Sequence, residues 1–161
     1  VVKDVHPDAA SVSIAEMLSD GDRDAAVEFY RWCDHADIAI QHILYSVDDL
    51  VSLYVLIEQA GLPRENLQLL FVLGRYAKNQ QSEPSDLRPF IHWLESKKVS
   101  ADWAVCAFGQ NETICLEAAY LAGGKVRIGF ENSLQNADGS LAADNAERVA
   151  EIHRLMGEVN V

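Results

Sequence analysis

The fold is decided by one stretch near the carboxyl end, GGKVRIGFENS at residues 123–133. Side chains alternate along a strand, so a strand here places Arg127, Gly129 and Glu131 on one face and apolar side chains on the other. The apolar face predicts a covering layer of helices. The opposite charges on the other face require explanation, because a buried charge is costly unless it is paired or binds a metal.

The composition is that of an acidic globular domain. The chain has 161 residues, of which 49% are hydrophobic, a formal net charge of -12 and a pI of about 4.7. These values exclude a disordered chain, and they argue against nucleic-acid binding, which needs a basic face. Three separated cysteines predict no disulfide framework and a reducing, cytoplasmic compartment. We expect no membrane span and no signal peptide, and the opening VVKDVHPD, which lacks Met, suggests a true start elsewhere.

Strand and helix patterns alternate five times along the chain. Apolar or β-branched runs predict strands at residues 8–14, 37–44, 66–73, 102–108 and 125–130. Helical periodicity predicts helices at residues 22–33, 49–60, 85–98 and 112–122, and a last one after residue 144. The predicted N-caps include Ser85, Asn111 and Asp144. The apolar stripe of the last helix is predicted at Ala146, Val149, Ile152 and Met156.

This alternation is typical of parallel βαβ units in an α/β fold. Two architectures compete, an open doubly wound sheet and a (β/α)8 barrel. Five units cannot close an eight-stranded barrel, and the spacing alone does not decide between the two. The glycine motifs of nucleotide-binding sheets are missing.

The strand end with Arg127 and Glu131 is the first candidate site. Active sites of parallel α/β folds lie at the carboxyl ends of the strands. There Glu131 could bind a divalent cation, and Arg127 could orient a carboxylate or carbonyl substrate. The alternative is a structural ion pair at the strand end, and the residues leave both open.

Two connections at the same strand ends are further candidates. At residues 108–112, Gly109 lets backbone amides approach a ligand and Asn111 precedes a helix N-terminus, although a plain capped turn is the simpler interpretation. The polar loop at residues 74–84 is long for its type. Arg75 and Lys78 in this loop could contact phosphates of a large cofactor. The default alternative is a solvated loop.

The histidines and cysteines predict no metal centre by themselves. The five histidines form neither an H-x-H nor an H-E-x-x-H motif. His42 lies on a predicted strand and is interpreted as a hydrogen-bonded core histidine. Cys106 and Cys115 have no base beside them in the sequence and are interpreted as small apolar residues.

Three stretches together carry a resemblance: WAVCAFGQNE at residues 103–112, GGKVRIGFEN at 123–132 and DGSLAADNAERV at 138–149. In order, spacing and charged residues they are similar to the carboxyl-terminal part of the β-keto acid cleavage enzymes, the family of 3-keto-5-aminohexanoate cleavage enzyme. LQLLFVLG at 67–74 and HPDAASVSI at 6–14 extend the resemblance over most of the chain.

The resemblance implies that residues 1–161 form a single partial TIM-barrel domain, the last five βα units of a (β/α)8 barrel. It implies a Zn²⁺-dependent condensation of a β-keto acid with acetyl-CoA, which gives acetoacetate and a new acyl-CoA. On that pattern Glu131 matches the carboxylate metal ligand and Arg127 the catalytic arginine. Asn132 stands where the family often has Asp. Because Asn cannot take a proton, either its role is only hydrogen bonding or this member differs in rate or substrate. The substrate or CoA contacts are predicted at Gly74, Arg75, Gly109 and Asn111.

Two departures from the family pattern limit these implications. The family's H-x-H pair of metal ligands, on an early barrel strand, is missing from this chain, and RYAKNQQSE replaces the glycine-rich loop after FVLG. We therefore expect half of an active site, completed by an absent amino-terminal portion or within a homo-oligomer. The alternatives are a non-catalytic fragment or oligomeric binding domain that lost the metal site, and a different α/β binding domain with an accidental match.

Overall fold

The apolar and β-branched runs form five parallel strands in a single sheet. The computed structural model describes residues 2–158. In chain order the strands are β1 (Ala9–Ser13), β2 (Ala39–Leu44), β3 (Leu67–Leu73), β4 (Ala101–Ala107) and β5 (Lys125–Val126). Their order in the sheet is also β1-β2-β3-β4-β5, and every neighbouring pair is parallel. A doubly wound sheet reverses its strand order partway, whereas a barrel does not. The architecture is therefore that of a partial (β/α)8 barrel.

Helices precede, connect and follow these strands. They are α1 (Val2–Val5), α2 (Ile14–Met17), α3 (Arg23–His35), α4 (Val47–Ala60), α5 (Arg88–Lys97), α6 (Glu112–Leu121) and α7 (Asn145–Glu158). Within residues 2–158, none of them combines the length and apolar character that crossing a membrane requires. All three cysteines are free and buried, which confirms that no disulfide framework joins them.

The two faces of the sheet are covered unequally. Leu69 and Phe71 of β3 belong to the main core together with the helices, while Leu70 and Val72 of the same strand face the other way. That second face carries a small apolar cluster of strand residues, which includes Cys106 of β4. In a barrel, the face without helices is the lumen. We call it the lumen face.

Of three predicted N-caps, one is wrong, one is confirmed in position but makes no side-chain bond, and one is confirmed. Ser85 lies inside a 3₁₀ turn (Pro84–Leu87), and α5 begins only at Arg88. Asn111 makes no side-chain cap bond to α6. Asp144 does cap α7, since its Oδ1 accepts the Glu147 amide at 2.8 Å.

The apolar stripe predicted for α7 is wrong in its first half. Ile152 is buried, but Ala146 and Val149 are exposed. The buried residue one position before Val149 is Arg148. Because Arg148 and Ile152 are four positions apart, they lie on the same side of the helix. The inward face of α7 is thus partly charged.

The last strand is also shorter than predicted. β5 ends at Val126, and the amide of Arg127 makes one further bond to Val105 O at 2.8 Å. The chain then turns at Gly129, which has φ +153° and whose carbonyl accepts the Asn132 amide at 2.9 Å. The predicted strand alternation of Arg127, Gly129 and Glu131 therefore does not form. Side-chain acceptors from α6 and α7 bind the amides of Gly129 and Phe130 instead.

Candidate active-site cleft

The carboxyl ends of β2 to β5 surround a cleft of about 270 Å³. Its lining consists of Ile43, Tyr45, Val72, Arg75, Phe108, Arg127 and Glu131. The parallel register brings these residues together, because all four strands end at the same edge of the sheet. Three of the residues singled out from the sequence, namely Arg75, Arg127 and Glu131, thus meet in one place.

Arg127 and Glu131 form an exposed ion pair in this cleft. Arg127 Nη2 lies 3.3 Å from Glu131 Oε2, and the two side chains are 43% and 73% exposed. The expectation of a buried charge pair is therefore wrong, because the chain leaves the sheet after Val126. Exposed pairs of this kind contribute at most about 1 kcal/mol to stability. Both charges are accordingly available to a ligand.

Arg127 also contacts the buried thiol of Cys106. Its Nη2 donates to Cys106 Sγ at 3.3 Å. Burial raises the pKa of the Cys106 thiol to about 11, and the nearby guanidinium opposes that rise. The thiol is therefore neutral near pH 7 and steadies the arginine without cancelling its charge.

The opposite wall of the cleft is aromatic and carries a second positive charge. The guanidinium carbon of Arg75 lies 5.3 Å from the centre of the Phe108 ring, within the range of a cation–π contact. The rings of Tyr45 and Tyr76 meet edge to face, with centroids 5.0 Å apart. An apolar wall with two arginines and one carboxylate suits a small anionic molecule.

The two glycines singled out from the sequence lie where chains approach closely. Gly74 has φ +79°, and a Cβ there would lie 2.8 Å from Ser82 N. Gly109 has φ +91°, and a Cβ there would lie 2.6 Å from Gln80 O. The Gly109 amide is itself bound to Asn132 O at 3.2 Å. Glycine is thus required at position 74, where the polar loop folds back on itself, and at position 109, where the loop packs against the chain after β4.

Asn111 fastens the same loop. Its Nδ2 donates to Ser82 O at 3.1 Å and to Glu83 Oε1 at 3.0 Å. The Ser82 amide and hydroxyl in turn donate to Phe108 O, at 3.0 and 2.8 Å. The structure therefore places Asn111 outside the cleft lining, in a contact that fixes the loop carrying Arg75.

A second arginine–glutamate pair lies beneath the cleft, and the sequence interpretation missed it. The side chains of Arg148 and Glu112 are both 0% exposed, with Arg148 Nη2 2.7 Å from Glu112 Oε2. Arg148 Nη1 pairs with Glu151, and Nη2 also donates to Thr113 Oγ1 at 3.1 Å. Burial raises the pKa of the Glu112 carboxyl, and Arg148 opposes that rise. The sequence feature that could have indicated this pair is an arginine at helical spacing from Ile152, on the side of the helix where an apolar residue is expected.

This buried pair is connected to the turn that carries Glu131. Glu112 Oε1 accepts the Gly129 amide at 3.3 Å. Asn145 Oδ1 accepts the next amide, that of Phe130, at 2.8 Å. The backbone between the two cleft charges is therefore held by one side chain from α6 and one from α7.

Asn132 follows Glu131 and has an unused donor. Its side chain is only 8% exposed, and its Nδ2 is one of two buried side-chain atoms in residues 2–158 with no hydrogen-bond partner. A buried donor without a partner costs about 1–3 kcal/mol. This amide can therefore donate to a group that the described residues do not supply.

Glu131 is a suitable but single metal ligand. Within residues 2–158, no group of three or more His, Cys, Asp and Glu side chains could hold a metal ion. A catalytic zinc usually takes three protein ligands. The exposed carboxylate fits as one of them, and a metal bound there would draw its other ligands from outside the described residues.

His42 is a core residue, as predicted. It is 3% exposed, and its Nδ1 lies 2.9 Å from the Tyr30 hydroxyl oxygen. Burial lowers the pKa of His42 to about 4, which keeps the ring neutral near pH 7. It lies on the helix-covered face of the sheet and takes no part in the cleft.

Comparison with known proteins defines an enzyme family. The sequence model of the beta-keto acid cleavage enzymes matches residues 1–161. The chain is also similar to a 3-keto-5-aminohexanoate cleavage enzyme of Fusobacterium nucleatum, with 29% identity over 102 residues. This match covers 63% of the chain and 35% of the relative, so the chain spans about a third of that protein's length. The chain belongs to the beta-keto acid cleavage enzyme family.

Proposed function

We propose that this chain supplies the carboxyl-terminal part of an active site that condenses a β-keto acid with acetyl-CoA. The products are acetoacetate and a new acyl-CoA. One observation carries the proposal: Arg127 and Glu131, which match the family motif, line one cleft at the carboxyl ends of the strands. Family membership supports the β-keto acid as substrate class.

In this proposal Glu131 is a ligand of a divalent metal, and Arg127 is the catalytic arginine. Zn²⁺, when bound, supplies Lewis-acid polarisation of the keto carbonyl. The planar guanidinium of Arg127 can bind the substrate carboxylate through two N–H groups. Arg127 is paired with Glu131 at 3.3 Å, so Glu131 would hold the metal while Arg127 would bind the substrate beside it.

Asn132 has a hydrogen-bonding role in this proposal. Its unpartnered Nδ2 donates to the substrate, because an amide cannot exchange a proton as a carboxyl group does. The structural observation behind this role is a buried donor adjacent to the proposed metal ligand.

Arg75 lies on the acyl-CoA side of the cleft in this proposal. Its charge is held over Phe108 and attracts the phosphates or the carboxylate of the substrates. Gly74, Gly109 and Asn111 act through the shape of the loop, since each of them fixes its path. The remaining metal ligands come from an amino-terminal portion or from a second copy in a homo-oligomer.

The test compares Glu131→Gln with Glu95→Gln in the intact protein. Glu95 is an exposed glutamate on α5, outside the cleft lining. We expect Glu131→Gln to lose zinc and acetoacetate formation from a β-keto acid and acetyl-CoA, and Glu95→Gln to keep both. Metal content and acetoacetate release are measured on the same preparations. If Glu131→Gln keeps its metal and its turnover, the assignment of Glu131 is wrong.

Arg127→Met tests the second role separately. We expect it to keep bound zinc but to lose turnover, because the metal ligand remains while the carboxylate partner is gone. Turnover with wild-type kinetics would contradict the role of Arg127. A wild-type protein that neither binds zinc nor forms acetoacetate would favour the non-catalytic alternative.

A further inference from the structure

Arg148 carries a fully buried charge on a helix whose neighbouring positions are exposed. Its side chain is 0% exposed, whereas Glu147 and Val149 on either side are exposed. Removing a guanidinium from water is costly, and an apolar side chain of similar volume often fills such a place with no loss of stability. The burial of a charge here therefore calls for a reason other than helix packing.

The contacts of Arg148 lead to the cleft. Its Nη2 binds Glu112 Oε2 at 2.7 Å, and the other oxygen of the same carboxylate accepts the Gly129 amide at 3.3 Å. Gly129 lies two residues after Arg127 and two residues before Glu131. A continuous chain of three groups thus joins α7 to the backbone between the two cleft charges.

Further hydrogen bonds hold the guanidinium of Arg148 in place. Nη1 pairs with Glu151, whose Oε1 accepts the Ala137 amide at 2.9 Å. Thr113 Oγ1 accepts from Nη2 at 3.1 Å and itself lies 3.3 Å from Glu151 Oε2. Because the arginine is fixed on both of its terminal nitrogens, the Glu112 carboxylate has one favourable orientation.

We propose that Arg148 is a positioning residue for the cleft. It orients the Glu112 carboxylate, which holds the Gly129 amide and so sets where Glu131 lies relative to Arg127. Asn145, at the start of α7, holds the next amide and acts in parallel. The proposal rests on the proposed function only for the metal that Glu131 binds, since the link from Arg148 to the turn is a property of the chain alone.

Two double variants separate positioning from packing. The leucine double variant, Glu112→Leu with Arg148→Met, replaces the pair by apolar side chains and removes the acceptor of the Gly129 amide. The glutamine double variant, Glu112→Gln with Arg148→Met, also removes both charges but keeps a carbonyl oxygen at that place. Arg31→Met is the control, because it breaks an exposed arginine–glutamate pair of 2.7 Å far from the turn in sequence.

Three quantities are measured on the intact protein: urea unfolding, amide hydrogen exchange of Gly129 and Phe130 in the metal-free state, and zinc affinity by chelator competition. We expect the leucine double variant to fold but to exchange its Gly129 amide at least about tenfold faster than wild type, relative to amides of β3. Its zinc affinity falls about 10–100-fold, as is typical when the support of a metal ligand is removed. The glutamine double variant, which keeps an acceptor but lacks the guanidinium that orients it, should move in the same direction in both readouts, and Arg31→Met should stay near wild type.

If the leucine double variant folds and keeps the Gly129 exchange rate and the zinc affinity of wild type, the proposal is overturned, because the pair would then serve packing alone. A glutamine double variant that keeps wild-type Gly129 exchange and zinc affinity would overturn it too, since the acceptor would then need no orientation by Arg148. If the wild-type protein binds no zinc, the role of Glu131 fails, and Gly129 exchange still decides whether Arg148 positions the turn.

Discussion

Two arginine–glutamate pairs lie close together in this chain and differ in almost every physical respect. Arg127 and Glu131 are 3.3 Å apart and well exposed, with side chains 43% and 73% accessible. Arg148 and Glu112 are 2.7 Å apart and fully buried. The exposed pair is weak and screened by salt, while the buried pair is strongly coupled and surrounded by further polar groups.

The difference fits the two proposed roles, in which one pair meets a ligand and the other holds the turn in place. An exposed pair can open at little cost, which a group that binds substrate or metal must do. A buried pair cannot open without leaving a charge unpaired, which suits it to fix a backbone turn. This contrast can be tested by breaking one pair and leaving the other intact.

The largest expected effect comes from breaking the buried pair. Arg148→Met leaves the buried Glu112 carboxylate without its guanidinium partner, and we expect the free energy of unfolding to fall by about 3–5 kcal/mol. Arg127→Met should lower it by about 1 kcal/mol or less. Urea unfolding of both metal-free variants measures the difference. Equal losses would contradict the division into a structural pair and a ligand-binding pair.

His42 extends the comparison of buried and exposed charges, because it is buried without a counter-ion. Its folded pKa of about 4 lies below the ordinary 6.5, so the unfolded chain binds the proton first as the pH falls. Stability from this group is therefore present above pH 6.5 and is lost between pH 6.5 and 4, by about 3 kcal/mol. We expect His42→Asn to remove this part of the pH dependence, and His92→Asn, at an exposed position, to keep it. Unfolding free energies from pH 7 to pH 4 provide the measurement, and unchanged pH dependence in His42→Asn would contradict the buried neutral ring.

Substitution of Gly109, against which the loop beside the cleft packs, is expected to have an intermediate effect on stability. Gly109 and Gly123 have similar φ values, +91° and +87°, but only at Gly109 would a Cβ meet other atoms. We expect Gly123→Ala to cost about 1 kcal/mol from the backbone conformation alone, and Gly109→Ala about 2–3 kcal/mol because Gln80 O must also move. Thermal unfolding of the two variants isolates the close approach. Equal shifts would show that the loop does not pack on Gly109 as described.

The smallest effect is the salt dependence of the exposed pair. In metal-free protein, Glu131→Gln should change stability by less than about 1 kcal/mol, and the change should shrink as NaCl approaches about 1 M. The destabilisation by Arg148→Met should persist over the same range, because its partner is shielded from counter-ions. A large, salt-resistant effect at Glu131 would mean that this carboxylate has a structural role.

Much of the fold follows from periodicity, and the failures arise from contacts between residues far apart in the sequence. The strand and helix order was predicted because each run keeps one period over many residues. The strand order in the sheet was left open, since it depends on contacts between units. β5 was predicted too long because the acceptors of the Gly129 and Phe130 amides, Glu112 and Asn145, lie far away in the sequence.

The candidate site was predicted in part. Arg127, Glu131 and Arg75 meet in the cleft because strand ends are easily located in a sequence. Their exposure was not predicted, since it depends on where the chain leaves the sheet. Arg148 was missed because helical periodicity was sought in apolar residues, and a buried arginine satisfies the same spacing with a different chemistry.

The central claim is that the exposed pair binds a ligand through Glu131. The most direct test is the stabilisation of the intact protein by zinc, measured for wild type and Glu131→Gln. With free zinc at about a hundred times the dissociation constant, wild type should gain about 2.7 kcal/mol in unfolding free energy, and the variant almost none. Equal stabilisation of the two proteins would contradict the claim.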